Sequence, residues 1–163
     1  MKTRSSVLVA LAAWLLISSV TPATAQVAGA SPANDSLVGT WQVQVTLRNC
    51  SNGNPLGPPF QSLLTFGVGG TLTETTSTSM FFPAERGPGH GVWNRSGGNA
   101  YTASSIAYIT LNGVLSMKQR IDQRIQIAHD SLSLDSAATI QFFDPGDNLV
   151  KAGCATATAQ RYR

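Results

Sequence analysis

The chain has 163 residues, 11 of them lysine or arginine and 8 aspartate or glutamate, and this length suits a single domain with a core of its own. Two basic residues, Lys2 and Arg4, fall in a segment expected to be removed, so nine basic side chains remain against eight acidic ones, a net charge of +1. No basic stripe is visible, which argues against a nucleic-acid partner.

The N-terminus has the three-part layout of a secretory signal. Lys2 and Arg4 supply the positive region, Val7–Val20 the apolar run, and Ala23-Thr24-Ala25 a small-x-small cleavage site. The run of about 14 apolar residues is shorter than the roughly 20 of a membrane-spanning helix, and no cysteine follows it to carry a lipid anchor. We therefore expect a secreted or periplasmic protein without a membrane span in its mature chain.

The predicted chain thus divides into a signal peptide (residues 1–25), a small and polar flexible spacer (26–38) and one domain (39–163). Its two cysteines, Cys50 and Cys154, are most simply paired in an exported protein. The disulfide would close a loop of about 100 residues. Two cysteines without a nearby histidine partner make a poor metal site, and we expect neither a metal nor a cofactor.

Alternating apolar and polar residues predict an all-β domain. From Gly39 onward, Trp41, Val43 and Val45 share one face of a first strand. Turn-forming Gly, Pro and Asn residues separate seven further predicted strands: Gln61–Val68, Thr71–Ser79, Val92–Asn94, Ala100–Leu111, Val114–Ala128, Ser131–Phe143 and Leu149–Tyr162. Eight strands joined by short connections suit an antiparallel up-and-down barrel, whose closure removes exposed edges.

One segment, Val114–Ala128, fits either a strand or a helix. As a helix, it places Met117, Ile121 and Ile125 on one stripe. As a strand, it places the same residues on one face together with two glutamines. The preceding Asn112-Gly113, a strong hairpin signal, favours the strand.

A register argument connects the first and last strands, which are neighbours in a closed barrel. If Cys50 faces Cys154 on the outer wall, Trp41 lies opposite Arg163, and Val43 lies opposite Arg161, on the inner face. An arginine would then cover the tryptophan at one end of the barrel in a cation–π contact.

Gly39-Thr40-Trp41 resembles the G-x-W signature of the lipocalin-like (calycin) barrels. The resemblance implies that Trp41 closes the barrel floor beneath Arg161 or Arg163, and that a disulfide ties the C-terminal region to the barrel. It also implies a function in binding a small molecule. The chain lacks a second lipocalin motif of the T-D-Y type and a helix after the last strand, so small bacterial lipocalin-like domains are the nearer comparison. Barrels of the dirigent and allene oxide cyclase type are the alternatives.

The predicted loop Met80–Gly91 is the most unusual stretch of the chain. It is expected either to form a lid over the barrel mouth or to plug the barrel with its aromatic side chains. Three further polar residues are expected to point into the lumen, where they would orient a ligand or pair within a filled core. The candidate ligand-binding residues are Phe81, Phe82, Glu85, Arg86, His90, Tyr101, Gln119 and Gln123.

The sequence favours an exported binder of a small apolar or amphipathic molecule. It carries no H-E-x-x-H, C-x-x-C, P-loop, G-x-G-x-x-G or G-x-S-x-G motif, so no catalytic residue is predicted. Two alternatives are a cofactor-free cyclase or isomerase that uses Glu85, Arg86 or His90, and a filled barrel with a structural or interaction role. The sequence does not predict an oligomeric state.

Overall fold

A computed structural model describes residues 35–163, so the predicted signal peptide and most of the predicted spacer lie outside the described residues. The described chain is an all-β, closed, up-and-down barrel of eight antiparallel strands, in which each strand pairs with the next and β8 pairs with β1. The strands are β1 Gly39–Arg48, β2 Phe60–Gly67, β3 Thr71–Ser77, β4 Glu85–Gly97, β5 Ala100–Leu111, β6 Val114–Ile127, β7 Ser133–Phe143 and β8 Leu149–Arg161. This topology confirms the predicted fold class.

Side chains alternate between the lumen and the outer wall, as the period of two predicts. The ambiguous segment is a strand, β6, because it pairs along its length with both β5 and β7. Its inner face carries Gln119, Gln123, Ile125 and Ile127, all buried.

One half of the lumen is packed with aromatic and aliphatic side chains, and we call this end the floor. Trp93 contacts Phe66 edge-on, with ring centroids 6.1 Å apart, and Tyr101 at 5.8 Å. The indole of Trp41 donates a hydrogen bond to the Leu37 carbonyl (3.0 Å). The Tyr101 hydroxyl lies 2.9 Å from Ser36 Oγ, and burial raises the pKa of this phenol. Such packing leaves little room for a ligand at the floor.

Arg161 covers Trp41, with its guanidinium carbon 4.3 Å from the ring centroid. It also donates hydrogen bonds to the carbonyls of Ser131 (2.9 Å), Val38 (2.8 Å) and Ser36. Burial lowers the pKa of Arg161, and the nearby charge of Arg163 adds to this effect. Of the two arginines predicted for this role, Arg161 fills it.

The predicted β1–β8 register is wrong by two residues. Trp41 pairs with Arg161 rather than with Arg163, and Cys154 pairs with Arg48 rather than with Cys50. The physical reason is that β1 ends at Arg48, so that Cys50 lies in the following turn and reaches back to Cys154. The disulfide itself is confirmed, with the two Cα atoms 5.3 Å apart.

The largest difference from the predicted strands is in β4, which begins at Glu85 and takes up more than half of the predicted loop. A bulge between Arg86 and Gly89 accommodates Pro88, which has no amide hydrogen to donate to a neighbouring strand. At Gly91 a side chain would overlap the Ser104 carbonyl oxygen, so glycine permits the close approach of β4 to β5. The glycines that indicated a loop are therefore the residues that let this strand pair.

The packed structure begins before Gly39, the predicted start of the domain. Leu37 is fully buried, Asp35 is buried, and the Leu37 amide donates to Asp35 Oδ1 (3.0 Å). The last residues of the predicted spacer therefore cap the floor. Within residues 35–163 no helix is long and apolar enough to cross a membrane.

Candidate ligand-binding site

The half of the lumen away from the floor contains a cavity of about 220 Å³. It exists because β7 and β8 place small residues on their inner faces, where larger side chains would fill the barrel. These small lining residues are Ser136, Ala138, Gly153, Ala155 and Ala157. Larger apolar side chains line the rest of the wall: Val43, Val45, Leu47, Phe60, Leu64, Ile121, Ile140 and Phe142.

The connections β1–β2, β3–β4, β5–β6 and β7–β8 all lie at the end of the barrel opposite the floor, and we call it the open end. Exposed apolar side chains, which we call the apolar rim, lie in or beside these four connections: Leu56, Met80, Phe82, Leu111, Val114, Leu149 and Val150. Phe81 packs inward from the β3–β4 connection, with its ring centroid 6.2 Å from that of Phe142. The cavity therefore has an apolar entrance.

A buried set of polar side chains, which we call the polar cluster, lies on one wall of the cavity. Arg86 forms an ion pair with Glu74, and the two side chains are 4% and 3% exposed. The Arg86 Nε–H donates to Gln119 Oε1, and its Nη1 donates to the Gly87 carbonyl (3.0 Å). The Thr76 hydroxyl donates to the second carboxylate oxygen of Glu74 (3.0 Å). The two opposite charges thus satisfy each other inside the barrel, as buried charges must.

The polar cluster and its neighbour Gln123 leave donors unused. Three of the five N–H groups of Arg86 are accounted for by Gln119, Gly87 and Glu74. Among the side-chain hydrogen bonds of residues 35–163, Gln119 takes part only through its Oε1, in the bond from Arg86, and Gln123 takes part in none. These two residues are only 5% and 8% exposed. Because both glutamines line the cavity, their free amide groups are available to a molecule inside it.

The structure brings together four of the eight predicted ligand-binding residues. Phe81, Arg86, Gln119 and Gln123 line the cavity. The ligand-binding role of these residues remains a prediction.

The other four predicted residues lie elsewhere. Phe82 is 85% exposed on the apolar rim, and Glu85 and His90 are exposed on the outer face of β4. Tyr101 points inward, as predicted, but it is packed in the floor. The Glu85, Arg86 and His90 side chains therefore do not converge on the cavity, because alternation along β4 and its bulge direct only Arg86 inward.

Sequence reasoning missed Glu74, the partner of Arg86, together with its neighbours Ser62 and Thr76. The alternation along β3 could have identified Glu74, because Leu72, Glu74 and Thr76 share one face of the strand and Leu72 is buried. An acidic residue in phase with core residues indicates a buried charge that requires a partner.

A larger hollow of about 710 Å³ lies on the outer wall across β4 to β8. Its lining includes Asn94, Thr102, Asp122, Arg124 and Thr139, which are outward-facing side chains of the sheet. Because this hollow is open to solvent, it lacks the enclosed walls that small-molecule sites use. Within the described part of the chain, no group of three or more His, Cys, Asp or Glu side chains could hold a metal ion.

No protein-family model matches the chain, and no curated protein sequence is significantly similar to it. Among solved structures, the crystal structure of Rv2717c from M. tuberculosis is similar over 79% of this chain and 94% of that chain. The sequence identity is 14% and the TM-score is 0.37. A TM-score this low adds no weight to a statement about fold or function, so both rest on the barrel itself.

Proposed function

We propose that this protein is an exported, lipocalin-like binding protein that holds one compact apolar or amphipathic molecule in the open half of its barrel. The supporting observation is the 220 Å³ cavity, with apolar walls and a polar cluster on one side. Small-molecule sites combine these features: mostly apolar lining and a few placed polar groups.

The size of the cavity limits the ligand. An apolar cavity of roughly 150 Å³ in another protein takes up benzene. A cavity of about 220 Å³ is therefore suited to a molecule with one ring and a short substituent, or to one of similar bulk. Longer molecules would extend past Phe81 to the apolar rim.

Two other functions have less support. A cofactor-free enzyme would need Glu85, Arg86 and His90 around one reacting molecule, and only Arg86 faces the lumen. A filled structural barrel would need side chains in the space that Ala138, Gly153 and Ala155 leave open. Export is supported by the Cys50–Cys154 disulfide, because such bonds persist in oxidising compartments.

Native mass spectrometry of the mature protein, purified gently from the compartment to which it is exported, tests the proposal. We expect a mass excess that disappears after extraction with organic solvent and that identifies the ligand by its mass. The variant Ala155→Phe, which fills the cavity, should lose this excess. The control Ala137→Phe, on the exposed outer face of β7, should keep it. A protein that carries no ligand and takes up none from added extract would contradict the proposal.

A further inference from the structure

We propose that the cavity selects uncharged molecules that bear a hydrogen-bond-accepting oxygen, such as compact ketones, esters or lactones, over carboxylates and amines of the same size. This inference rests on the proposed function, because it concerns the ligand of the same cavity. It is carried by the charge balance of the polar cluster and by its unused donors.

The charge of the polar cluster is zero, because the Arg86 guanidinium is matched by the Glu74 carboxylate. A ligand carboxylate at this wall would share Arg86 with Glu74 and add a second buried negative charge beside the first. An ammonium group would similarly lie beside the positive charge of Arg86. Burying a charge without a partner of its own is strongly unfavourable, so both kinds of ligand are rejected here.

Two further cations, Arg48 and Lys151, line the outer part of the cavity. Arg48 donates through Nε to the Thr156 hydroxyl (2.9 Å), and Lys151 is exposed to solvent. Lys118 of β6 does not line the cavity, and it is paired with Asp147 at 2.7 Å. The exposed charge of Lys151 attracts an anion only weakly, and the half-buried Arg48 already donates to Thr156. The cations at the outer part of the cavity therefore do not reverse the preference for uncharged ligands that the polar cluster sets.

The hydrogen-bonding groups that remain near the cavity are mainly donors. Arg86 retains two N–H groups, Gln119 retains its amide nitrogen, and Gln123 retains a complete amide. The orientation of Gln119 is fixed by chemistry, because arginine has only donors and the glutamine must therefore present its oxygen to Arg86. Each carboxylate oxygen of Glu74 already accepts one hydrogen bond, from Thr76 or from Arg86. A carbonyl oxygen is the ligand group that complements this set.

Four probes of similar size and different polarity test the inference at pH 7.5: acetophenone, ethylbenzene, benzoate and benzylammonium. Binding of each to the extracted mature protein is measured by calorimetric or NMR titration. We expect acetophenone to bind at least tenfold more tightly than either ion. We expect the affinity for acetophenone to exceed the affinity for ethylbenzene by about threefold to tenfold, which is the range for one net hydrogen bond.

Glu74→Gln removes the negative charge and keeps the shape of the side chain. This variant should bind benzoate at least tenfold more tightly than the unchanged protein does, because Arg86 is then unpaired. The control Glu85→Gln makes the same change in total charge at an exposed position of β4 and should leave all four affinities unchanged.

Gln123→Leu should reduce the preference for acetophenone over ethylbenzene and keep ethylbenzene binding, because Arg86 and Gln119 still supply donors. Its control is Gln126→Leu, an exposed position on the outer face of the same strand. Variants are compared only where the circular dichroism spectrum matches that of the unchanged protein, and the four-probe comparison in the unchanged protein does not depend on any variant.

The outcomes separate the two proposals. If benzoate or benzylammonium binds the unchanged protein as tightly as acetophenone, the charge selection is wrong while the binding function stands. If acetophenone and ethylbenzene bind equally, the role of the unused donors is wrong. If none of the four probes binds and no natural ligand is found by mass spectrometry, the proposed function itself is overturned.

Discussion

Replacing both Cys50 and Cys154 by serine is expected to lower the free energy of unfolding by about 2–5 kcal/mol. The disulfide joins residues 104 positions apart, and it therefore closes most of the barrel sequence into one loop. The chain-entropy model gives about 4–5 kcal/mol for such a loop, acting through the unfolded state. Urea unfolding of the variant and of the unchanged protein, with and without reductant, measures the difference.

The native barrel should survive the loss of this bond. Eight residue pairs connect β1 and β8 from Trp41–Arg161 to Arg48–Cys154, so backbone hydrogen bonds keep the barrel closed. The control is the addition of reductant to both proteins. Reductant should lower the stability of the unchanged protein to that of the double variant and should have no effect on the double variant. A loss below about 1 kcal/mol would mean that the disulfide adds little to the closure of the barrel.

Arg161→Met is expected to lower the free energy of unfolding by about 2–4 kcal/mol. Methionine retains an unbranched apolar side chain over Trp41 but loses the cation–π contact. It also leaves the Ser36, Val38 and Ser131 carbonyls without their guanidinium donor. These carbonyls are half-buried, and leaving three acceptors there without a donor costs more stability than substituting an arginine that is fully exposed to solvent. Chemical denaturation followed by tryptophan fluorescence measures the effect near Trp41.

Arg163→Met is the matched control, because it changes the same residue type two positions away. Arg163 is exposed, and Trp41 pairs with Arg161 instead. We therefore expect a change within about 0.5 kcal/mol, as for most surface substitutions. Equal effects of the two substitutions, or a larger effect of Arg163→Met, would contradict the observed register.

Much of the fold was predictable from local sequence patterns. Alternation and turn residues located seven of the eight strands to within two residues at each end. The eighth, β4, was not predictable in this way, because Gly87, Pro88 and Gly89 resemble a loop until the bulge and the close approach of β5 are known. The register of β1 on β8 was also beyond a local pattern, because it depends on where β1 ends relative to Cys50.

The candidate site was predictable only in part. The alternation of side chains along a strand correctly placed Gln119 and Gln123 on the inner face of β6. It could not show that Gln119 accepts from Arg86 or that Arg86 pairs with Glu74, because these contacts join strands far apart in sequence. The cavity itself depends on the volumes of side chains from several strands, and only the assembled barrel reveals that Ala138, Gly153 and Ala155 leave a space.

The central claim, that one half of the barrel is a ligand chamber and the other half a packed floor, is tested most directly by NMR titration with acetophenone. Methyl signals of Ile140, Ala155 and Ala157, which line the cavity, should shift and saturate together. Signals of Ile127 and Leu134, which are buried in the core cluster, should stay in place. Shifts confined to the outer wall, equal shifts in both halves, or no saturable shift would contradict the claim.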